Sequence, residues 1–443
     1  FIMFWHKLAG QGIFMPTLRI TAKWTNHPWQ RHKICEEDFG GNLYKYKDYY
    51  QVKEPIRIRM SRYRLLDEKG TYAPVARSIP GKPLMKILII GALNYNPERF
   101  CAWEEAGCQL YGYWYPAPSM AHESIGPFPF GHIETIPRGA DWTERVRDIC
   151  PDLIYLCFCC SSLEFVYDSI MELRKAGIHV PFVWHLKEGP QLCIRFGTWP
   201  KLMELYELSA GNIITNRRTK EWYDLFLPTD KPYLILDQEM PKKEYFERPF
   251  SPKISASDGE IHTVVIGRMI GISVEDMRRL AAHRIHVHLY SASYYRQKNA
   301  GNNLYGRVAQ GYFHVHAYCP SEKWVEEFSR YDAGWLHADH SRNRGDLFRV
   351  MWDDLNIPAR VGTLAAAGLP MILRRNTGHI VASKELSEQY GIGILYDSIT
   401  ELSAQLYDRD FMDTLKRNVR KHRMEFTMDT HTSKLIHFFQ SLI

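Results

Sequence analysis

Beyond residue 84, short uninterrupted apolar runs alternate with amphipathic stretches to near the end of the chain. Met85-Lys86-Ile87-Leu88-Ile89-Ile90-Gly91 is the first such run, and a glycine closes it. A strand with no polar face has to be covered on both sides, which is the situation in a parallel sheet flanked by helices. Similar runs lie near Gln109–Tyr113, Pro151–Cys157, Val180–Trp184, Gly211–Thr215 and Tyr233–Leu236. Between them fall helical signals: Pro97 to Gly107, a start at Asp141-Trp142-Thr143-Glu144, and a capping box of Ser161 with Glu164. Pro249 to Gly259 is rich in Pro, Ser and Gly and reads as a connection. A second series follows it, with strands at Ile261–Ile266, Ile285–Tyr290, Phe313–His316, Gly334–Leu336, Pro370–Leu373 and Gly391–Leu395. The helices between these begin at Ser273 with Asp276, run from Ser321 to Arg330, and begin again at Ser398 with Glu401. Two such series predict an α/β protein with two Rossmann-like, doubly wound parallel sheets.

The two ends of the chain follow other rules. Residues 1–84 are rich in Trp, Tyr, Lys and Arg and show little helical period. Tyr50 to Leu65 alternates apolar and basic positions, predicting a half-solvated strand with Asp67-Glu68-Lys69-Gly70 as its turn. Arg57, Arg59, Arg62 and Arg64 then form a solvated face; the functional alternative is contact with an acceptor or a membrane. Ser78 to Pro83 is linker-like. The expected divisions are an irregular extension over 1–84, a first Rossmann-like domain over 85–250, a second over 251–410, and helices over 411–443 that pack back toward the first domain. The extension would dock on the main body or on another subunit, which makes it the candidate homo-oligomer contact.

Composition narrows the class. A chain of 443 residues with 45% apolar and 13% aromatic positions can bury full cores. A formal charge of +6 is too diffuse to argue for nucleic acid, but it fits anionic small ligands. No run reaches the roughly 18 apolar residues of a membrane span. Phe1–Trp5 lacks the layout of a signal peptide, and the nine cysteines sit mostly within apolar strand or helix patterns, as reduced thiols do. A cytoplasmic protein is expected. The basic run Lys416, Arg417, Arg420, Lys421 and Arg423 is explained by a solvated helix face, with peripheral contact at an inner membrane face as the alternative.

Candidate chemistry collects at predicted strand ends. Asp353 to Pro370 reads as a loop, a small-residue helix capped by Asn356, and a stop at Gly368. The start of that helix, near Arg360, Gly362 and Thr363, would present free N–H groups to a phosphate. Gly267-Arg268 ends a strand where forked contacts to phosphate are possible. Arg342 and Arg344, in the polar loop His337 to Asp346, could supplement it. His185 and Glu188 follow another strand and are candidates for acceptor contact or proton transfer. A single glycine closes the first strand, so a dinucleotide fingerprint is absent. The spacing of Cys157, Cys159 and Cys160 fits no tetrahedral metal site without a distant partner pair. His286 with His288, and His314 with His316, form pairs on adjoining strands that could bind a metal. Helices normally cover such strands, so the expectation is no metal ligand.

The order of strand, Gly267-Arg268, helix, strand, a Pro320-Ser321 helix with Tyr331-Asp332-Ala333, the Asn356-x-Pro358 to Ala366-Ala367-Gly368-Leu369-Pro370 unit, then Gly391-Ile392-Gly393-Ile394-Leu395 resembles the donor half of GT-B glycosyltransferases. The closest likeness is to the large retaining family that uses nucleotide sugars. It covers residues 261–410 well and 85–245 only in rhythm. The resemblance implies a UDP- or GDP-sugar donor, a carbohydrate-type acceptor (glycan, lipid-linked or small molecule), retention of configuration, and no tightly bound cofactor or metal. The family's acidic pair falls here at Leu355 and Thr363, so both carboxylates are missing; Asp353 and Asp354 stand beside the first slot, and Asp354 is the candidate replacement. A lysine that the family places shortly after Arg268 is also absent. The rival reading is a catalytically degenerate GT-B scaffold serving binding or assembly.

Overall fold

The computed structural model describes residues 83–92, 97–116, 133–227, 230–237, 239–291, 294–295, 304–320 and 323–443, together with three short strands before residue 75. Those strands, β1 (Arg59–Ser61), β2 (Arg64–Leu66) and β3 (Tyr72–Pro74), form an antiparallel sheet. They belong to a compact unit made of residues 1–82 and 125–134. The single strand expected over Tyr50–Leu65 is broken: Ser61 pairs with Arg64 and the chain reverses between them. A lone half-polar strand has no stability of its own, and folding back supplies its backbone partners. Arg57, Arg62 and the expected turn at Asp67–Gly70 lie outside the described residues.

The larger unit holds two sheets. The first is formed by β4 (Met85–Gly91), β5 (Cys108–Trp114), β6 (Glu134–Thr135), β7 (Leu153–Phe158), β8 (Phe182–Leu186), β9 (Gly211–Ile214) and β10 (Tyr233–Ile235), in the order β10-β9-β8-β7-β4-β5-β6. The second is formed by β11 (Ile261–Ile266), β12 (Ile285–Tyr290), β13 (Phe313–His316), β14 (Ala333–Trp335), β15 (Met371–Arg374) and β16 (Gly393–Tyr396), in the order β13-β12-β11-β14-β15-β16. Pairing is parallel throughout the second sheet and from β10 to β5 in the first. All six residues of β7 are buried, as its apolar run requires. These are two Rossmann-like lobes.

Helix α1 (Cys101–Glu105) follows β4, α2 (Leu163–Lys175) follows β7, and α3 (Arg217–Tyr223) follows β9. In the second lobe α4 (Val274–Ala282), α5 (Trp324–Phe328), α6 (Trp352–Leu355), α7 (Arg360–Ala366), α8 (Ala382–Tyr390) and α9 (Ile399–Tyr407) lie between or after the strands. α10 (Arg409–His422) leads to α11 (Met428–Gln440), which returns to the first lobe. There Phe439 meets the ring of Trp103 edge-on at 5.5 Å. A Cβ at Gly211 would lie 2.8 Å from Leu442, so this close approach needs glycine. Lys242, in the connection between the lobes, is 2.6 Å from Glu105 and also bonds Asp429, tying that connection to both α1 and α11.

Candidate functional site

In the second sheet the chain changes winding direction between β11 and β14, which lie side by side. Ligands of open α/β sheets sit outside the carboxyl ends of strands at such a point. The residues that follow these two strands are Gly267-Arg268 and Leu336-His337. Gly267 has φ +85°, a conformation that suits glycine and turns the chain so that the Arg268 side chain is exposed. Among the described residues Arg268 makes no side-chain hydrogen bond or ion pair. Arg360, by contrast, is only 8% exposed. Its Nη2 donates to the Arg268 carbonyl at 2.6 Å and its Nη1 to the Trp335 carbonyl at 3.4 Å, so it clamps the ends of β11 and β14 together.

His337 registers the field at this point. Burial first, then the cations Arg360, Arg268 and Lys187, hold its imidazole down to about 3, so the ring is neutral at ordinary pH. The Asn356 amide lies 3.5 Å from its Nδ1. Lys187 comes from the other lobe: its Nζ bonds Asp237 at 2.6 Å and the Ile357 carbonyl at 2.9 Å. Two further side chains of the first lobe also end on main-chain carbonyls of this loop. Asn216 reaches Leu355 O at 2.7 Å, and Gln191 reaches Val350 O at 3.1 Å. Arg218 adds a pair of 2.8 Å bonds to Glu385 on α8. Lys187 was not singled out by sequence; it stands between two residues that were, and only the placement of the lobes shows where its long side chain ends.

Carboxylates face the same region. Asp353 is exposed; partial burial and the neighbouring Asp339 and Asp354 push its carboxyl above the usual range, with Arg268 acting in the opposite sense. Asp339 is pushed up as well, by burial first, and its Oδ2 is buried without a hydrogen bond. Asp354 is 7% exposed and its Oδ2 accepts the Met351 N–H at 2.9 Å, capping α6. It is a structural group, and Asp353 is the acid that remains open. Leu355 and Thr363, at the two family acid positions, are buried at 2% and 5% exposure.

Several expected site residues have other work. His185 is 1% exposed, with Nδ1 2.6 Å from the Tyr155 hydroxyl and Nε2 3.0 Å from the Leu236 carbonyl. Both ring nitrogens are engaged inside the lobe, and burial with Arg99 and Lys187 nearby holds the ring far below its ordinary range; it is not open to an acceptor. Glu188 accepts the Cys160 N–H at 2.8 Å and so secures the turn after β7. Asn356 ends α6 and does not cap the start of the next helix. α7 begins at Arg360, Ala359 before it is helical in conformation, and no side chain caps it. The Val361 and Gly362 N–H groups are already bonded to Pro358 O at 2.9 Å and Ala359 O at 3.2 Å, a tight turn that spends the donors expected for a phosphate. Gly362 instead permits contact with the interlobe connection: a Cβ there would lie 2.7 Å from Pro241 Cδ. Arg342 is exposed on the loop after β14, and its charge reaches His340.

Two cavities flank the switch point. One of about 610 Å³ starts at Met269, beside Arg268, and includes Ser273, Asp276, Tyr305, His340 and Arg374. The other, of about 390 Å³, lies between the lobes, with Asn216, Leu236 and Asp237 on one side and Ile357, Pro358 and Ala359 on the other.

No family model matches the chain, and no curated protein matches it in sequence. Solved structures do. HepE from Anabaena in complex with UDP superimposes with a TM-score of 0.56 at 11% identity, over 81% of this chain and 100% of that one. An α,α-trehalose-phosphate synthase (UDP-forming) from Burkholderia xenovorans, in complex with glucose-6-phosphate, gives 0.53 at 9% identity over 80% and 100%. An α-glucosyltransferase in complex with UDP-glucose and DNA gives 0.50 at 11% identity over 81% and 99%. With two parallel sheets, six and seven strands, and a cleft at their carboxyl ends, the chain has the GT-B fold.

Proposed function

We propose that the protein is a glycosyltransferase that moves a sugar from a nucleotide-sugar donor to a carbohydrate-type acceptor. The observation that carries this reading is Arg268, exposed at the switch point and without a side-chain partner among the described residues, beside Arg360, which bonds its carbonyl. Cleavage of a nucleotide-sugar bond leaves negative charge on the diphosphate, and preorganised cations in a partly desolvated cleft stabilise that charge. Arg268 makes the direct contact. Arg360 is occupied with carbonyls and acts at longer range, while Lys187 is paired with Asp237 as well as the Ile357 carbonyl and adds less; the leaving group is held by side chains and needs no metal. Neutral His337 and Asn356 add hydrogen-bonding groups at the same point. Asp353, open and near Arg268, faces the donor sugar in place of the missing family acid. The UDP complexes of HepE make a uridine nucleotide the first donor base to test, and GDP the second. Retention of anomeric configuration follows the family resemblance. The eight described cysteines are free, which fits a reducing compartment.

Calorimetric titration of the full chain with UDP and GDP tests the assignment. Binding should weaken at least about tenfold in Arg268→Ala, the scale of a lost charge-assisted contact. Unchanged affinity would remove the basis of the proposal. The second reading, a scaffold that binds nucleotide without turnover, is favoured by the buried Leu355 and Thr363 at the acid positions. Release of UDP from UDP-sugars decides for the enzyme; tight nucleotide binding with no release decides for the scaffold.

A further inference from the structure

One face of the second sheet carries histidines that glycosyl transfer does not use. His262 on β11, His286 and His288 on β12, and His314 and His316 on β13 are linked ring to ring. His262 and His288 are buried, and the others are partly buried. Sequence periodicity shows the last four as pairs; His262 is the member it misses, because one polar residue in the apolar run of β11 leaves no pattern.

The carboxylates at the amino ends of the strands fix the arrangement. Asp258 Oδ2 lies 2.8 Å from His262 Nε2, and Glu260 Oε2 lies 2.7 Å from His286 Nε2. An ionised carboxylate only accepts, so Nε2 carries the proton in both rings and Nδ1 carries the lone pair. His262 Nδ1 then faces His288 Nε2 at 2.9 Å, and His286 Nδ1 faces His314 Nε2 at 3.0 Å. The two bonded pairs lie over each other: His262 stacks on His286 at 4.2 Å, and His288 on His314 at 4.3 Å. His262, His286 and His288 each offer a nitrogen within 4.8 Å of the other two.

We propose that this group binds a borderline divalent transition cation of the zinc class, with His262, His286 and His288 as ligands, His314 as the fourth, and Asp258 and Glu260 orienting the rings. A ring whose outer N–H is held by a carboxylate, leaving its inner nitrogen to ligate, is the supporting arrangement of imidazole metal sites, and His262 and His286 have it. Four imidazoles suit zinc, copper, nickel or cobalt far better than magnesium or calcium. The two carboxylates supply negative charge that a dication neutralises, less the share Arg284 already offsets at Glu260.

Binding at nitrogen–metal distances of about 2.0–2.1 Å needs a tilt of the stacked rings and a tautomer change. The protons on His288 and His314 Nε2 move to Nδ1 of the same rings. His288 then donates to His316 Nε2, whose own proton moves to its Nδ1, and no net proton is lost. His262 is the second residue of β11, whereas Arg268 lies beyond the other end of that strand. The ion would therefore pin the edge strand β13 to β11 and take no part in chemistry at the cleft.

Full-length protein stripped with EDTA and titrated with ZnCl2, against MgCl2 as control, tests this. One zinc should bind per chain at micromolar strength or better and raise the melting temperature, while magnesium does neither. Cobalt(II) added to the unaltered protein should give the visible absorption of a nitrogen-ligated four-coordinate ion. Asp258→Asn keeps every ligand and should weaken zinc about 10–100-fold. The His286→Gln/His288→Gln double variant should lose zinc altogether, while His431→Ala retains it. Absence of stoichiometric zinc binding, or binding that survives the double variant, overturns the proposal. UDP affinity, read in parallel, is expected to stay constant, so a failure here is distinct from a failure of the cleft assignment.

Discussion

Trp103, Tyr155, Phe158, Trp184, Tyr206 and Tyr223 fill the interior around the first sheet, while the second carries His262, His286, His288, His314 and His316 within its strands and Arg360 and Arg374 against its ends. One strand order therefore supports two ways of being held together. The first lobe relies on aromatic volume; Trp184, fully buried, meets Phe158, Tyr206 and Tyr223 edge-on. The second also packs rings, Trp335 on Tyr396 and Tyr290 on Phe328, and adds directed polar bonds between its strands and at their carboxyl ends. His185 and His337 show the difference at single residues. Both are depressed by burial first, but His185 has both nitrogens engaged inside its lobe, whereas His337 faces Arg360, Arg268 and Lys187 at the cleft. What separates the two histidines is the company of their nitrogens, not their position after a strand.

The contrast can be broken most directly in the first lobe. Trp184→Ala should cost about 3–5 kcal/mol, read as the shift in a urea midpoint, since a large cavity opens among rings. A loss under about 1 kcal/mol would mean that the aromatic interior is not what holds this lobe. Next comes Arg268→Ala, with its fall of at least about tenfold in UDP affinity and little change in the same midpoint, because the side chain is exposed and supports no packing.

Acid should then act through the imidazoles. His314 titrates at about 4 in the folded protein, chiefly through burial, against about 6.5 when unfolded. The unfolded chain thus binds more protons between these values, so stability is complete above about pH 6.5 and falls as pH drops toward 4. His288 and His185, both depressed, add in the same sense. With allowance for partial exposure, the share of His314 is on the order of 1 kcal/mol. His314→Gln should flatten the dependence of the urea midpoint between pH 7 and 5, and an unaltered slope would count against the uncharged ladder. The smallest effect is expected for Arg218→Ala, whose pair with Glu385 is about one-third exposed on each side: at most about 1 kcal/mol, by the same measurement.

The strands were legible because parallel strands buried on both faces leave continuous apolar runs, and β4 and β7 show them plainly. The place of Arg268 past a strand end was legible for a related reason: a strand, a glycine and a guanidinium in succession need no tertiary information. Residues whose roles depend on the other lobe were not. Lys187 works through the Ile357 carbonyl, 170 positions away. The misplaced helix start has a local cause, since Pro358 and Ala359 close a turn that Asn356 alone suggested would open with a cap. Asp354 drew attention by sequence proximity, yet its neighbour Asp353 is the open acid, a distinction that rests on which side chain turns back to Met351.

The three latches from Lys187, Asn216 and Gln191 all close on peptide oxygens between Val350 and Ile357, and peptide oxygens are present whatever residue occupies the position. The rim of the crevice can therefore accept new side chains at 351, 353 and 356 while its mechanical connection to the opposite lobe persists.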